Sequence, residues 1–181
     1  ESSFEEYYGE KVSLGDILRF HSWVGGDRDG NPNITSEITR YAIKKQISVL
    51  INKYLVDLDN LFDDLSIHID ESVDSTNLTQ SIEEDLNIIN IDKNIIQRYQ
   101  YEPLRLKVLC IKQKLIDYND SIFSKKISYN LEKFQNDLNI ISEFLLKISD
   151  DDHLLKGILN DILVRSKTFG LNFVSLDIRQ H

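Results

Sequence analysis

The stretch Ser22-Trp23-Val24-Gly25-Gly26-Asp27-Arg28-Asp29-Gly30-Asn31-Pro32-Asn33-Ile34-Thr35 holds the densest chemistry in the chain. Three glycines, two aspartates and an arginine crowd one short turn. Glycine lets the backbone take positive φ and come close to a ligand or another strand. Asp and Asn close local turns by accepting hydrogen bonds from backbone amides. The alternation of Asp27, Asp29 and Asn31 raises a calcium loop, but that loop needs glycine where Pro32 stands and glutamate where Ile38 stands. A phosphate loop fails too, because no Gly-Lys-Ser/Thr follows. Two readings stay open. The turn is a rigid corner in which Asp27 and Asp29 hold Arg28 in one rotamer, or it is one wall of an active site with Trp23 presenting an apolar face.

A second cluster closes the chain, at Phe169-Gly170 and Leu176-Asp177-Ile178-Arg179-Gln180. Arg179 offers a planar fork that bonds phosphate or carboxylate through two parallel hydrogen bonds. An Asp-x-Arg at the C-terminal end of an apolar strand is where a (β/α) barrel places ligand-binding groups. The alternative is an internal ion pair from Arg179 to Asp177, Asp27 or Asp29.

These residues need elements to hold them. Residues 17–24 and 172–179 read as strands. In the second, Val174, Leu176 and Ile178 face one way, and Phe173, Ser175, Asp177 and Arg179 the other. Strands so far apart in the chain cannot form a hairpin, so they are expected to be staves of a parallel sheet or barrel completed outside this chain. Between them the periodicity predicts helices. The first starts after Thr35 and runs to about Leu65, on a stripe from Ile38 and Ala42 through Ile47, Ile51, Tyr54 and Leu58. Residues 66–92 read as an acidic loop with short helical turns. The second helix begins at Pro103, placed at N1. The third spans about 127–148 with heptad spacing from Leu131 to Ile148. The fourth follows the Asp150–Asp152 run and ends near Phe169, with Gly170 after it.

Composition bounds the function. Of 181 residues, 41% are apolar and 28% charged, which fits a globular domain. Lys plus Arg is 21 against 30 Asp plus Glu, a net charge of −9. That excess of acid argues against a nucleic-acid surface. Cys110 stands alone, so no internal disulfide can form. No apolar run is long enough to span a bilayer, and the first residues do not read as a signal peptide. The absence of Met even at residue 1 suggests an excised piece of a longer protein. The expected organisation is one partial domain over 1–181. Within it, 1–35 carries a strand and the glycine turn, 36–170 is helical, and 171–181 is a strand ending in Asp-Ile-Arg-Gln.

The two clusters resemble the signatures of the phosphoenolpyruvate carboxylase family. Ser22 to Pro32 is similar to its Ser-Trp-x-Gly-Gly-Asp-Arg-Asp-Gly-Asn-Pro turn, and Ile34-Thr35 with Ile38-Thr39-Arg40 continues the likeness. Tyr101-Glu-Pro-Leu-Arg-Leu-Lys107 is similar to its Glu-Pro-x-Arg segment. Phe169-Gly170 and Leu176–Gln180 are similar to its Phe-Gly…Leu-Asp-Ile-Arg-Gln stretch. The resemblance runs from about Leu18 to Gln180. His21 and His181 depart from the pattern, which usually has a small residue and an acidic one there.

The resemblance implies a mainly α-helical fragment of an α/β (TIM-like) barrel enzyme, a lyase with long helical excursions. Such an enzyme is cytoplasmic and homotetrameric. It uses Mg²⁺ or Mn²⁺ to make oxaloacetate, which feeds the tricarboxylic acid cycle, from phosphoenolpyruvate and bicarbonate. It implies that Arg179 binds phosphate and that Trp23 lines the CO₂ pocket. Gly25, Gly26, Asp27, Arg28, Asp29, Gly30, Asn31 and Asp177 would support the site. The family's catalytic histidine sits in Thr-Ala-His-Pro. That motif is absent here, and none of His21, His68, His153 and His181 has such a context. The metal-binding carboxylates and a later glycine- and arginine-rich loop are missing as well. The fragment alone is therefore expected to be inactive, with its metal held by residues outside it. The competing class is a non-catalytic α-helical interaction module whose glycine turn is only a corner. No membrane or nucleic-acid partner is expected.

Overall fold

Thr35 opens the longest helix. Its hydroxyl accepts from the Ile38 amide at 3.3 Å, and Glu37 puts a carboxylate in the first turn. Both suit the end of a helix where amides lack partners. The computed structural model describes Tyr7, Gly9 and residues 19–66, 73–124, 129–148 and 153–179. In chain order the elements are β1 (His21–Ser22), α1 (Ser36–Asp64), α2 (Thr76–Leu86), α3 (Lys93–Arg98), α4 (Pro103–Asp120), α5 (Leu131–Ile148), α6 (His153–Lys156), α7 (Ile158–Phe169) and β2 (Ser175–Leu176). The described chain is mainly helical, with β1 and β2 paired in parallel, His21 opposite Ser175 and Ser22 opposite Leu176. No helix among the described residues is long and apolar enough to cross a membrane.

The apolar stripes meet in one core. Ile47, Leu50, Ile51, Tyr54, Leu58 and Leu61 of α1 are buried with Leu104, Val108, Ile111 and Leu115 of α4. Phe134, Leu138, Ile141 and Leu145 of α5 join them, as do Leu159 and Ile162 of α7. α1 packs on α4 and α7, while α2 packs on α4 and α5. Pro103 stands at the start of α4, where its missing amide costs no hydrogen bond. Gly170, at φ +60°, follows α7.

Four expectations change. Part of 66–92 is a true helix, α2, rather than a loop with turns. Its buried stripe is only Leu78, Ile82 and Asp85, too mixed to read as a core face. The helix expected after residue 152 breaks at Gly157 into α6 and α7. Ile38, counted in the α1 stripe, is 41% exposed, because the first turn of α1 runs past the helical core. The strands are two residues each, and the ladder is interrupted before it resumes as a bridge between Asp27 and Arg179. Residues 17–18, 67–72, 127–128 and 150–152, and also His68, Gln180 and His181, lie outside the described residues.

Inside the core sits a charged cluster. Lys107 of α4 is fully buried, and its Nζ donates to Ser81 Oγ (2.5 Å), Asp85 Oδ2 (2.8 Å) and Asp137 Oδ1 (2.7 Å). Lys114 Nζ, two turns on, bonds Asp85 Oδ1 (2.5 Å) and lies 2.6 Å from Asp137 Oδ2. Tyr129 donates to Asp137 Oδ2 at 2.7 Å. Two cations thus face two anions, and α2, α4 and α5 are tied in one register. Burying charge is costly unless it is paired in this way. Removing one partner leaves a net charge in the core, so Lys107→Met is expected to lower unfolding free energy by about 3 kcal/mol or more. Urea unfolding of the variant chain beside the wild type measures this.

The same cluster dictates behaviour in alkali. Burial works against the Lys107 ammonium, but the Asp137 and Asp85 carboxylates outweigh it and hold its pKa above the ordinary lysine value. Burial and Asp137 push Tyr129 well up, and burial pushes the Cys110 thiol up to about 12. A group whose folded pKa is raised adds stability that is complete below its unfolded pKa and is lost as pH climbs. The urea midpoint is therefore expected to hold through neutral pH and fall above about pH 9, where the unfolded chain starts to shed these protons.

Candidate functional site at the carboxyl end of the parallel pair

Three amides of the second strand reach across to the first. Ser175 N donates to Phe20 O (3.1 Å), Asp177 N to Ser22 O (2.9 Å) and Arg179 N to Gly26 O (3.1 Å). Arg28 N returns a bond to Arg179 O at 3.0 Å. On the first strand the chain leaves the ladder after Ser22 and re-enters at Gly26. The excursion is closed by Gly26 N and Asp27 N, which both donate to Trp23 O at 2.9 and 3.2 Å. Trp23 thus opens the turn whose far side, Gly26 to Arg28, is bonded to the backbone of Arg179.

Two glycines make this possible. Gly25 has φ +83°, and a Cβ there would sit 2.6 Å from Ala42 Cβ on α1. Gly26 lies so near the second strand that a Cβ would overlap the Asp177 carbonyl oxygen. Thr39 of α1 is the anchor beneath them. Its buried hydroxyl donates to Gly25 O at 2.7 Å, and Arg28 Nη2 approaches it at 3.4 Å. In the sequence, Ile38-Thr39-Arg40 only continues the family likeness and gives Thr39 no structural role of its own. Its signal was a small hydroxyl one turn into α1, directly after the glycine turn.

The rigid-corner reading placed Arg28 between Asp27 and Asp29. Asp27 Oδ1 instead accepts from the Asp29 amide at 3.2 Å, and Asn31 Oδ1 likewise accepts from Asn33 N at 3.1 Å. Arg28 turns inward to Thr39, and its Nε is buried without a partner among the described residues. Arg179 makes no ion pair among the described residues; Asp177, its suggested partner, lies 3.1 Å from His21 Nδ1. The structure brings together the backbones of Gly25, Gly26, Asp27, Arg28, Asp177 and Arg179. Asp29, Gly30 and Asn31 ride on the exposed outer part of the turn. Trp23 is 63% exposed and Arg179 is also exposed.

The Glu-Pro-x-Arg segment is elsewhere. Arg105 Nε donates to Phe62 O (3.0 Å), its Nη1 to Glu102 Oε2 (2.9 Å), and its guanidinium lies 4.6 Å from the Phe62 ring centre. Phe62 is near the far end of α1 from Thr39, roughly 35 Å along the helix axis. The segment fastens α4 to α1 and does not touch the glycine turn.

Two cavities lie away from Trp23 and Arg179. One of about 610 Å³ opens beside Lys114, Asp117 and Tyr129. Another of about 500 Å³ runs under the amino end of the strands, along Phe20, Phe169 and Phe173. Phe173 has φ +74°, an unusual left-handed conformation for a bulky residue, and its ring packs on Phe169 at 5.5 Å. The sequence pointed to none of Asp85, Lys107, Lys114 and Asp137 as a linked set. The hint was there: Asp137 lies inside the α5 stripe between Phe134 and Leu138, and Lys107 and Lys114 share one side of α4. Among the described residues, no group of three His, Cys, Asp or Glu side chains is placed to hold a metal. Asp27, Asp29 and Asp177 do not fit that role.

The close approach can be tested directly. Gly26→Ala sets a methyl against backbone that cannot rotate away, so it is expected to cost roughly 2 kcal/mol or more. Chemical unfolding of the variant chain measures the loss.

With this geometry in view, the relatives are informative. The profile of the phosphoenolpyruvate carboxylase family matches residues 1–181. A phosphoenolpyruvate carboxylase of Prochlorococcus marinus (strain MIT 9301) is 32% identical over 204 residues, covering 99% of this chain and 20% of its own length. One from Rhodothermus marinus is 29% identical, covering 99% of this chain and 19% of its own length. One from Roseiflexus castenholzii is 29% identical, covering 91% and 19%. The chain spans about a fifth of the length of these relatives. A match that runs from the first residue to the last decides the assignment: the chain belongs to the phosphoenolpyruvate carboxylase family.

Proposed function

We propose that this chain forms part of the active-site wall of a phosphoenolpyruvate carboxylase, an enzyme that makes oxaloacetate and phosphate from phosphoenolpyruvate and bicarbonate. The observation that carries the reading is the meeting of the Gly26–Arg28 turn and Arg179 at the carboxyl end of a parallel strand pair. That end is where barrels of alternating strands and helices gather ligand-binding groups. The remaining strands, the catalytic histidine and the Mg²⁺ or Mn²⁺ ligands belong to the rest of the protein. The isolated chain is inactive on this reading. The whole enzyme is a cytoplasmic homotetramer.

The chemistry explains the choice of residues. The phosphoryl group passes from phosphoenolpyruvate to a bicarbonate oxygen, giving carboxyphosphate and the enolate of pyruvate. Carboxyphosphate breaks to CO₂ and phosphate. The enolate carbon then attacks CO₂ and forms the new carbon–carbon bond of oxaloacetate. Charge on the moving phosphoryl group must be met by fixed cations, because the net charge of −9 repels anions at long range. Arg179 meets this need with a guanidinium whose backbone is fastened on both sides, at Gly26 O and Arg28 N. CO₂ is apolar, and the enolate takes a proton from water if water enters. The Trp23 indole, on the residue that opens the glycine turn, supplies a dry wall in the whole enzyme. Gly25, Gly26 and the backbones of Asp27, Arg28 and Asp177 hold the two segments together.

In the full-length enzyme, Arg179→Ala is expected to lower kcat/KM for phosphoenolpyruvate by about 10²-fold or more. Trp23→Ala is expected to divert the enolate, so that pyruvate rises relative to oxaloacetate while phosphate release continues. Steady-state assays that count phosphate, pyruvate and oxaloacetate together read both effects. Near-normal kinetics and product ratios in both variants would remove the site assignment.

A further inference from the structure

Asp177 and Arg179 are two residues apart in the extended segment that continues β2. The amides of Ser175, Asp177 and Arg179 all donate across to the first strand, so every second residue keeps the same orientation. Asp177 and Arg179 therefore share a face, within reach of each other's side chains. A carboxylate so placed is a ready partner for a guanidinium, and a bidentate pair would occupy the fork an anionic ligand needs. The described structure avoids that pair. Asp177 Oδ1 lies 3.1 Å from His21 Nδ1, and Arg179 makes no ion pair among the described residues. His21 is in register to do this: it pairs with Ser175, one step before Asp177 on the same face. Asp27, bridged to Arg179 across the sheet, has its Oδ1 committed to the Asp29 amide.

We propose that His21 is a positioning residue: by holding the Asp177 carboxylate it keeps the Arg179 guanidinium free for an anionic phosphate group. The inference rests on the reading of Arg179 given above. His21 and Asp177 are about half exposed, so their contact adds little to folding. Its consequence is which side chain the carboxylate faces. Without His21, Asp177 turns to Arg179 and competes with the ligand.

The test uses the full-length enzyme, with phosphoenolpyruvate KM and kcat and the inhibition constant of inorganic phosphate as readouts. His21→Ala is expected to raise both KM and the phosphate inhibition constant about three- to five-fold, the worth of an exposed ion pair, with kcat little changed. Adding Asp177→Asn to His21→Ala removes the competing charge and is expected to bring both constants back toward wild type. A loss of folding alone would not be reversed by the second change. Unchanged constants in His21→Ala, or no recovery in the double variant, would overturn the role of His21. Arg179→Ala separates the two readings. If it raises KM sharply while His21→Ala does nothing, only the positioning role falls. If it leaves KM unaltered, the assignment of Arg179 falls first and this inference with it.

Discussion

The site depends on a backbone-to-backbone approach between two segments from opposite ends of the chain. Gly26 lies against the Asp177 carbonyl, at a distance that leaves no room for a side chain. From that approach follow the hydrogen bonds of Gly26 O with Arg179 N and of Arg28 N with Arg179 O. The turn itself is closed by Gly26 N and Asp27 N on Trp23 O. A bulkier residue would part the strands and break the bonds that fasten Arg179 to the turn. The glycines of the turn are there to allow contact, and most of its polar side chains close the turn upon itself.

The helices serve that contact from below. α1 offers Thr39 and Ala42 as the floor under Gly25, while its remaining length anchors in the core. α7 leads into β2 through Gly170, whose carbonyl accepts from the Tyr54 hydroxyl at 2.7 Å. A single helix thus steadies both strands: near its first turn it holds the outgoing one, and at Tyr54 it holds the approach to the returning one. The Lys107 cluster and the Arg105 clasp on Phe62 set how α2, α4 and α5 lie on α1. They act at a distance from the site, by keeping its scaffold rigid.

Charge is used differently in the two regions. Within the core, cations and anions are matched, so the penalty of burial is met by short hydrogen bonds and the helices are held in register. At the strand end, the nearby carboxylates are occupied by a backbone amide and by His21. Arg179 is left as an exposed cation on a chain that is acidic in sum. On the proposed reading, local arrangement and not net charge would let that end take an anion.

Much of this was legible in the residues. Periodicity located α1, α4, α5 and α7, because each buries a continuous apolar stripe. Thr35, Pro103 and Gly170 marked ends, since capping is a local matter of backbone groups and nearby side chains. The Trp-x-Gly-Gly-Asp-Arg-Asp turn and the Asp-Ile-Arg strand announced themselves by type and spacing, and family membership followed from their order. α2 stayed hidden because its buried face is part aspartate, and an aspartate reads as surface until its lysines are known. The partners of Arg28, Asp177 and Arg179 were equally out of reach: several carboxylates stood close in sequence, and only the packing of strand on strand and turn on helix could choose among them. Local chemistry sets helix, cap and turn within a few residues. Which side chains meet across the intervening helical region is decided by the tertiary structure, because that choice depends on distances the linear order does not contain.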